Sequence, residues 1–156
     1  MNIATWLARR ALRSPDTPAI FDGFNCVVTY ETFEVRVRAV AHWLKRQGVS
    51  AGDRVAIFME NAPEYLFVQY GAWYAGAVIV PINAKLHAKE ARWIIENSEA
   101  VLTISSAAKV TALIEAKALG EIVLACDNSS SISLTERGCL EAPIGGFLLR
   151  FRAPSV

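Results

Sequence analysis

The side chains that could do chemistry are few and stand apart along the chain. The sequence has two histidines, His42 and His87, and three cysteines, with no CxxC or HExxH pattern among them. His42 lies inside a predicted helix and His87 at the start of another, where a surface position and a helix cap explain them better than catalysis. Cys26 falls in a predicted strand, where a cysteine commonly acts as a small buried hydrophobe. These positions predict no metal site and no catalytic residue.

Phosphate-binding patterns are absent from the sequence, which has no GxxxxGK[ST] loop, no GxGxxG and no GxSxG elbow. The run Gly52-Asp53-Arg54 predicts a turn before a strand, with the Asp53 carboxylate accepting backbone N–H groups. The run Glu60-Asn61-Ala62-Pro63-Glu64 predicts the start of a helix, where acids complement the helix dipole and disfavour phosphate.

One loop offers weak candidates for a binding role. The segment Pro81-Ile82-Asn83-Ala84-Lys85-Leu86 follows a predicted strand at its carboxyl end, and ligands of open α/β sheets sit at that edge. Asn83 and Lys85 are therefore the candidates for substrate-binding residues. The sequence identifies no cofactor-binding residue.

Hydrophobic periodicity predicts the elements that position these residues. Residues 18–30 predict a β-hairpin, Thr29 a helix cap, and Gly48 and Gly76 the ends of two helices. Asn61 is predicted to cap the helix whose first turn contains Pro63. From Val55 onward, predicted helices alternate with short apolar runs at 55–59, 77–80, 101–104 and 122–125, which predict strands.

This order predicts an α/β fold: a partial doubly wound, mostly parallel sheet with flanking helices, plus a short N-terminal β-hairpin. We assign residues 1–126 to one α/β subdomain. Residues 127–156 begin with a Ser-rich loop and show no clear period, so they predict an irregular tail that is disordered or frameshifted.

Composition excludes several classes of partner. The net charge of +1 leaves no electrostatic footprint for nucleic acid. The odd number of widely spaced cysteines argues against a disulfide framework and favours the reducing cytoplasm.

The stretch Tyr65–Ala84 has no charge over about 20 residues, the length of a membrane helix. Glycines interrupt it and Pro81 ends it, so we predict a buried helix and strand instead of a transmembrane span.

The N-terminal segment has three arginines and no acid before Asp16, a composition shared with transit peptides. An ordinary amphipathic helix is the preferred interpretation, because its apolar residues share one helical face: Ile3, Trp6, Leu7 and Ala11.

An ordered series of motifs resembles the opening of AMP-forming acyl-CoA synthetases, members of the adenylate-forming superfamily. The similarity covers roughly residues 1–126. Its main motifs are Thr29-Tyr30-Glu31, GVSAGDRVAI from Gly48 to Ile57, Asn61-Ala62-Pro63-Glu64-Tyr65, Ala75-Gly76-Ala77-Val78, and Val80-Pro81-Ile82-Asn83.

The resemblance implies a parent enzyme that adenylates a carboxylic acid with ATP and Mg²⁺ and then transfers the acyl group to coenzyme A. It also implies a Ser/Thr/Gly-rich phosphate loop, an adenine motif and a lysine-bearing C-terminal domain, none of which the sequence contains. No catalytic residue of the family maps onto this chain. We therefore expect a truncated fragment, the product of a premature stop, a frameshift or a partial gene, that binds no cofactor and is inactive alone.

Two other functions stay open. A non-enzymatic scaffold or regulatory module would dock on a full-length synthetase through exposed apolar surface, and the same surface would favour self-association. A free-standing nucleotide or coenzyme A binder of flavodoxin-like shape is disfavoured, because the sequence has no Gly-rich phosphate loop.

Overall fold

Helices and strands alternate along most of the chain. The computed structural model describes residues 2–116, 118, 121–124 and 149–152. The elements in chain order are α1 (Thr5–Arg13), β1 (Pro18–Asp22), β2 (Asn25–Thr29), α2 (Tyr30–Arg46), β3 (Arg54–Phe58), α3 (Pro63–Ala75), β4 (Val78–Pro81), α4 (Ala88–Asn97), β5 (Leu102–Ser105), α5 (Ala107–Glu115), β6 (Glu121–Leu124) and β7 (Leu149–Arg152).

The first of two structural units contains α1, the hairpin, α2 and α3. It comprises Met1–Asp53 and Asn61–Ile79. The hairpin pairs β1 with β2 in antiparallel register, as predicted. The core is built from apolar side chains of all these elements. Its buried members are Leu7, Ile20, Val28, Phe33, Val37 and Phe67.

Local signals in the sequence explain where the helices of this unit begin and end. Thr29 Oγ1 accepts a hydrogen bond from the Thr32 amide at 3.3 Å and caps α2. Gly48 and Gly76 follow α2 and α3 with φ of +87° each, a left-handed conformation that glycine adopts without steric cost. The predicted Asn61 cap is wrong by one residue: Ala62 is the N-cap of α3, and Pro63 takes the first helical position.

The predicted inner face of α1 is only partly correct. Leu7 is buried, but Trp6 is 56% exposed and Ile3 46% exposed. Ala4, immediately before the helix, is fully buried and supplies the second inward contact. The helix is therefore turned so that much of its apolar and basic surface faces outward.

The second unit comprises Arg54–Glu60 and Val80–Val156. Its sheet has the strand order β4-β3-β5-β6-β7, in which β3, β5 and β6 are parallel and β7 is antiparallel to β6. Helices α4 and α5 contribute to a core with β3. The buried members of that core are Ala56, Phe58, Ile82, Ala91, Ile95, Val110, Leu113 and Ala118.

The predicted α/β class, with its mostly parallel sheet, flanking helices and hairpin, is confirmed. Strand β7, which lies within the tail predicted to be irregular, was not predicted, because the sequence shows no partner for residues 149–152. Most of the predicted irregular tail, 127–156, lies outside the described residues, so the division at residue 126 stays a prediction. No helix among the described residues is long and apolar enough to cross a membrane.

Candidate functional site

The loop after β4 holds the two residues that the sequence singled out. The Lys85 amide donates a hydrogen bond to Asn83 Oδ1 at 2.9 Å, and the Leu86 amide donates to the Asn83 carbonyl at 3.0 Å. Asn83 thus closes a turn of its own loop, which is the common use of asparagine in such positions. Both Asn83 and Lys85 are exposed. The geometry explains Asn83 structurally and leaves the Lys85 ammonium in solvent, so both remain weak candidates.

A second polar group forms at the carboxyl ends of β3 and β5. Ser105 Oγ donates to the Phe58 carbonyl at 2.9 Å and ties the two strand ends together. Ser106, the N-cap of α5, makes no side-chain cap hydrogen bond and instead donates from Oγ to Glu60 Oε2 at 2.5 Å. Lys109 Nζ lies 3.7 Å from Glu60 Oε1. We call Glu60, Ser106 and Lys109 the edge triad.

Glu60 carries the negative charge of the edge triad. The hydrogen bond from Ser106 lowers the pKa of Glu60 below its ordinary value, and the Lys109 ammonium adds to this shift. The carboxylate is therefore ionised at neutral pH and is balanced by a cation that also lies 5.7 Å from the centre of the Phe58 ring. An ionised carboxylate at the start of α5 takes the place that a phosphate would need. The negative charge of Glu60 therefore disfavours an anionic ligand at the start of α5.

The edge triad was missed in the sequence because its partners come from distant elements. Ser106 and Glu60 are 46 residues apart. The sequence predicts Glu60 at the start of α3, whereas the structure pairs it with Ser106 and Lys109. Of the two acids in that run, only Glu64 lies in the first turn of α3. The one signal in the sequence was Ser106, a serine directly before the predicted helix α5.

The remaining polar residues have structural positions. Asp53 Oδ2 accepts a hydrogen bond from the Ser50 amide at 2.7 Å, which confirms the predicted turn. His87 caps α4: its Nδ1 accepts from the Lys89 amide at 3.3 Å. The prediction that Cys26 is buried is wrong: the first three residues of β2 are all exposed, and Cys26 is one of them. His42 is exposed on α2.

The first unit has a shallow cleft of about 330 Å³ between β1 and the start of α3. Its polar side chains are Asp22, Asn61 and Tyr65, and its other lining residues are apolar. Burial raises the pKa of the Tyr65 phenol, which lines the cleft and stays protonated at neutral pH. The cleft is at the lower end of the size of small-molecule sites. It has no cation to balance an anionic ligand among its lining residues.

Among the described residues, no group of three or more His, Cys, Asp or Glu side chains is placed to hold a metal ion. Together, these sites and the alternating β/α order define an open α/β domain without an assembled catalytic centre among its described residues.

Comparisons with known proteins identify the family. Residues 7–142 match the family model described as AMP-binding enzyme. The crotonobetaine/carnitine–CoA ligase of Salmonella paratyphi A is 35% identical over 94 residues, which cover 58% of this chain and 18% of that protein. The chain therefore belongs to the family of AMP-binding enzymes, and it spans about a fifth of the length of the curated relatives that it matches.

Solved structures agree with the sequence match. A fatty acyl CoA synthetase from Mycobacterium tuberculosis superposes with a TM-score of 0.67 and 34% identity, covering 72% of this chain and 22% of that one. A benzoate CoA ligase from Burkholderia xenovorans LB400 superposes with a TM-score of 0.72 and 28% identity, covering 80% and 25%. The resemblance seen in the motifs is confirmed, and it concerns one part of these enzymes.

Proposed function

We propose that this chain is the N-terminal part of an AMP-forming acid–CoA ligase. The parent reaction is ATP-dependent adenylation of a carboxylic acid, assisted by Mg²⁺, followed by thioester formation with coenzyme A. The match over residues 7–142 to the AMP-binding enzyme family carries this proposal. The relatives described above are two CoA ligases and a fatty acyl CoA synthetase, which supports the choice of reaction. The reducing cytoplasm is the compartment that we propose.

The role proposed for these residues is that of a scaffold. The carboxyl edge of the sheet is where ligands sit in open α/β folds. Asn83 and Lys85 lie at that edge, and Lys85 has its ammonium exposed. We propose that this loop contributes at most a wall or a single charge to a substrate pocket, whose reacting groups come from other parts of the parent enzyme.

We further propose that the 156 residues alone do not adenylate a substrate. Transfer of an adenylyl group needs donors and a cation around a triphosphate and the leaving pyrophosphate. The sequence has no Gly-rich phosphate loop, and the start of α5 faces the carboxylate of Glu60. ATP, Mg²⁺ and coenzyme A are thus cofactors of the parent enzyme in this proposal.

A complementation experiment tests the scaffold role. The crotonobetaine/carnitine–CoA ligase would be prepared without the segment that matches this chain, and its CoA ligase activity measured after each addition. This chain should restore activity in a concentration-dependent way, although less well than the relative's own segment. Restoration by the relative's segment and none by this chain, at concentrations where both are folded, would contradict the scaffold role.

A second candidate function is a regulatory module that docks on a full-length synthetase. Large apolar side chains of the second unit are exposed: Trp93 is 64% exposed, Val101 47% and Ile114 44%. Such side chains favour association, either with a synthetase or between copies of the chain. Native mass spectrometry of the chain with a full-length relative distinguishes these outcomes. A complex of defined stoichiometry would support the module, and only monomers at micromolar concentration would exclude it.

A further inference from the structure

The outward face of α1 has no assigned role in the fold or in the proposed reaction. Trp6, Arg9 and Arg13 follow one another at spacings of three and four residues, so they form one stripe along the helix, and Leu12 lies beside it. Trp6 is 56% exposed and Leu12 86% exposed. Arg9 and Arg13 are exposed as well. We call these four side chains the α1 face.

Three other side chains of this segment already have partners. Leu7 and Ala4 are buried in the first unit. The Arg10 guanidinium stacks on Tyr30, with Cζ 5.2 Å from the ring centre, which is a cation–π contact. Within the described residues, none of the ion pairs involves Arg9 or Arg13. The side chains of the α1 face therefore do not contribute to the packing of the first unit.

Charge is concentrated in this segment. Residues 1–15 contain three arginines and no acid, whereas the whole chain has a net charge of only +1. Positive charge next to exposed tryptophan and leucine is the composition of helices that lie in the plane of a membrane interface. Nucleic acid is a poorer match, because its phosphates would satisfy the arginines but leave Leu12 without an apolar partner.

We propose that the α1 face binds an anionic lipid surface. The helix would lie parallel to the bilayer, with Arg9 and Arg13 donating hydrogen bonds to lipid phosphates. Trp6 and Leu12 are six residues apart, about 9 Å along the helix axis, so they give the α1 face two separate apolar anchors. Tryptophan prefers the headgroup level and leucine the acyl boundary. The attachment is peripheral, reversible and weakened by salt. It does not depend on the proposed enzymatic role.

Vesicle flotation of the full chain tests the proposal, because aggregated protein sediments and does not float. The chain should float with vesicles made of equal parts phosphatidylcholine and phosphatidylglycerol, and far less with phosphatidylcholine alone. Each basic residue near an anionic surface contributes about 1 kcal/mol, so the double variant Arg9→Glu/Arg13→Glu should bind at least about tenfold more weakly. Trp6→Ala should lose binding by a few-fold.

A matched control separates the α1 face from net charge. Lys45 and Arg46 are exposed in the last turn of α2, and Lys45→Glu/Arg46→Glu changes the chain's charge by the same amount. This control should bind anionic vesicles nearly as well as the unaltered chain. Leu12→Ser provides a second test on a side chain that is almost fully exposed, in case the arginine variant does not fold.

Several results would overturn the proposal. These are absence of flotation with anionic vesicles, equal flotation with neutral ones, equal losses in the α2 control, and full binding by both the arginine variant and Leu12→Ser. Binding of the chain to duplex DNA without binding to vesicles would assign the arginines to nucleic acid instead. Loss of flotation in the α1 variants with retention in the α2 control is the result expected.

Discussion

The α2–α3 pair and the edge triad both combine charged and apolar side chains, but they use them in opposite ways. Between α2 and α3, Phe33 lies 5.7 Å from Phe67 and 5.2 Å from Tyr70, measured between ring centres. The edge triad has a half-exposed Glu60 and one ion pair at 3.7 Å. The first region is a packed interior, and the second is a polar rim at the edge where family members would place ligands.

The two regions differ in what their polar side chains do, and in neither region do these side chains form a catalytic site among the described residues. The α2–α3 pair contains Glu34, a charged residue that is only 8% exposed, and Tyr74 donates to it from its hydroxyl at 3.3 Å. Arg38 also donates to Glu34, and this hydrogen bond raises the pKa of Arg38. These polar contacts of the buried Glu34 help to fix how α2 packs on α3. At the sheet edge, the exposed Glu60 carboxylate is paired with Ser106 and Lys109.

The largest predicted effect concerns the close approach of α3 to α2. A Cβ atom on Gly71 would lie 2.5 Å from Val40 Cγ1 and 2.7 Å from Val40 Cβ. Alanine in a helix interior is normally more stable than glycine by about 1 kcal/mol. Gly71→Ala should instead lower the free energy of unfolding by about 1–3 kcal/mol, because the core is overpacked. Urea unfolding measures the change.

The double variant Gly71→Ala/Val40→Ala sharpens this prediction. Removing Val40 Cγ1 relieves one contact, but Cβ remains, so the double variant should recover only part of the lost stability. A stabilising effect of Gly71→Ala alone would show that the two helices are further apart than described, and the comparison between the regions would fail.

A smaller loss is expected from Glu34→Ala. The substitution leaves the Tyr74 hydroxyl without its acceptor in a part-buried site, at a cost of about 1–2 kcal/mol. Arg38 adds little because its side chain is 67% exposed. Glu31→Ala is the matched control: it removes an exposed acid from the first turn of the same helix and should cost less. Equal losses, measured by thermal or urea unfolding, would contradict a specific role for Glu34.

The smallest effect is predicted for Ser106→Ala at the edge triad. Because the side chain makes no cap hydrogen bond, the main loss is its bond to Glu60, below about 1 kcal/mol for a half-exposed carboxylate. Since Ser106 lowers the pKa of Glu60 in the folded state, its contribution is present above pH 5 or so and is lost as pH falls through the folded pKa. The stability difference between the two proteins should therefore shrink on acidification. A difference that is constant from neutral to acid pH would exclude this coupling.

Local chemistry made much of the fold predictable. Gly48 and Gly76 end helices because they adopt positive φ, and Thr29 and His87 mark helix starts through hydrogen bonds to nearby amides. These signals act within three or four residues, so they are visible in the sequence. Asn61 failed as a cap by one position because Pro63 sets where α3 begins.

The polar sites could not be predicted in the same way. The contact of Ser106 with Glu60 and the donation from Tyr74 to Glu34 join residues that are 46 and 40 positions apart. Such pairs depend on strand order and helix packing, which local patterns do not encode. Cys26 was predicted to be buried because it is a cysteine in a strand, whereas the first three residues of β2 are all exposed.

The central claim is that this chain carries the scaffold of an acid–CoA ligase without its adenylation chemistry. ATP–pyrophosphate exchange by the purified chain, with a mixture of carboxylic acids and Mg²⁺, tests it most directly. The double variant Asn83→Ala/Lys85→Ala, prepared identically, reports any contaminating enzyme. We predict background exchange for both proteins. Exchange that scales with the amount of the chain and disappears in the double variant would contradict the claim and place Asn83 and Lys85 in an active site.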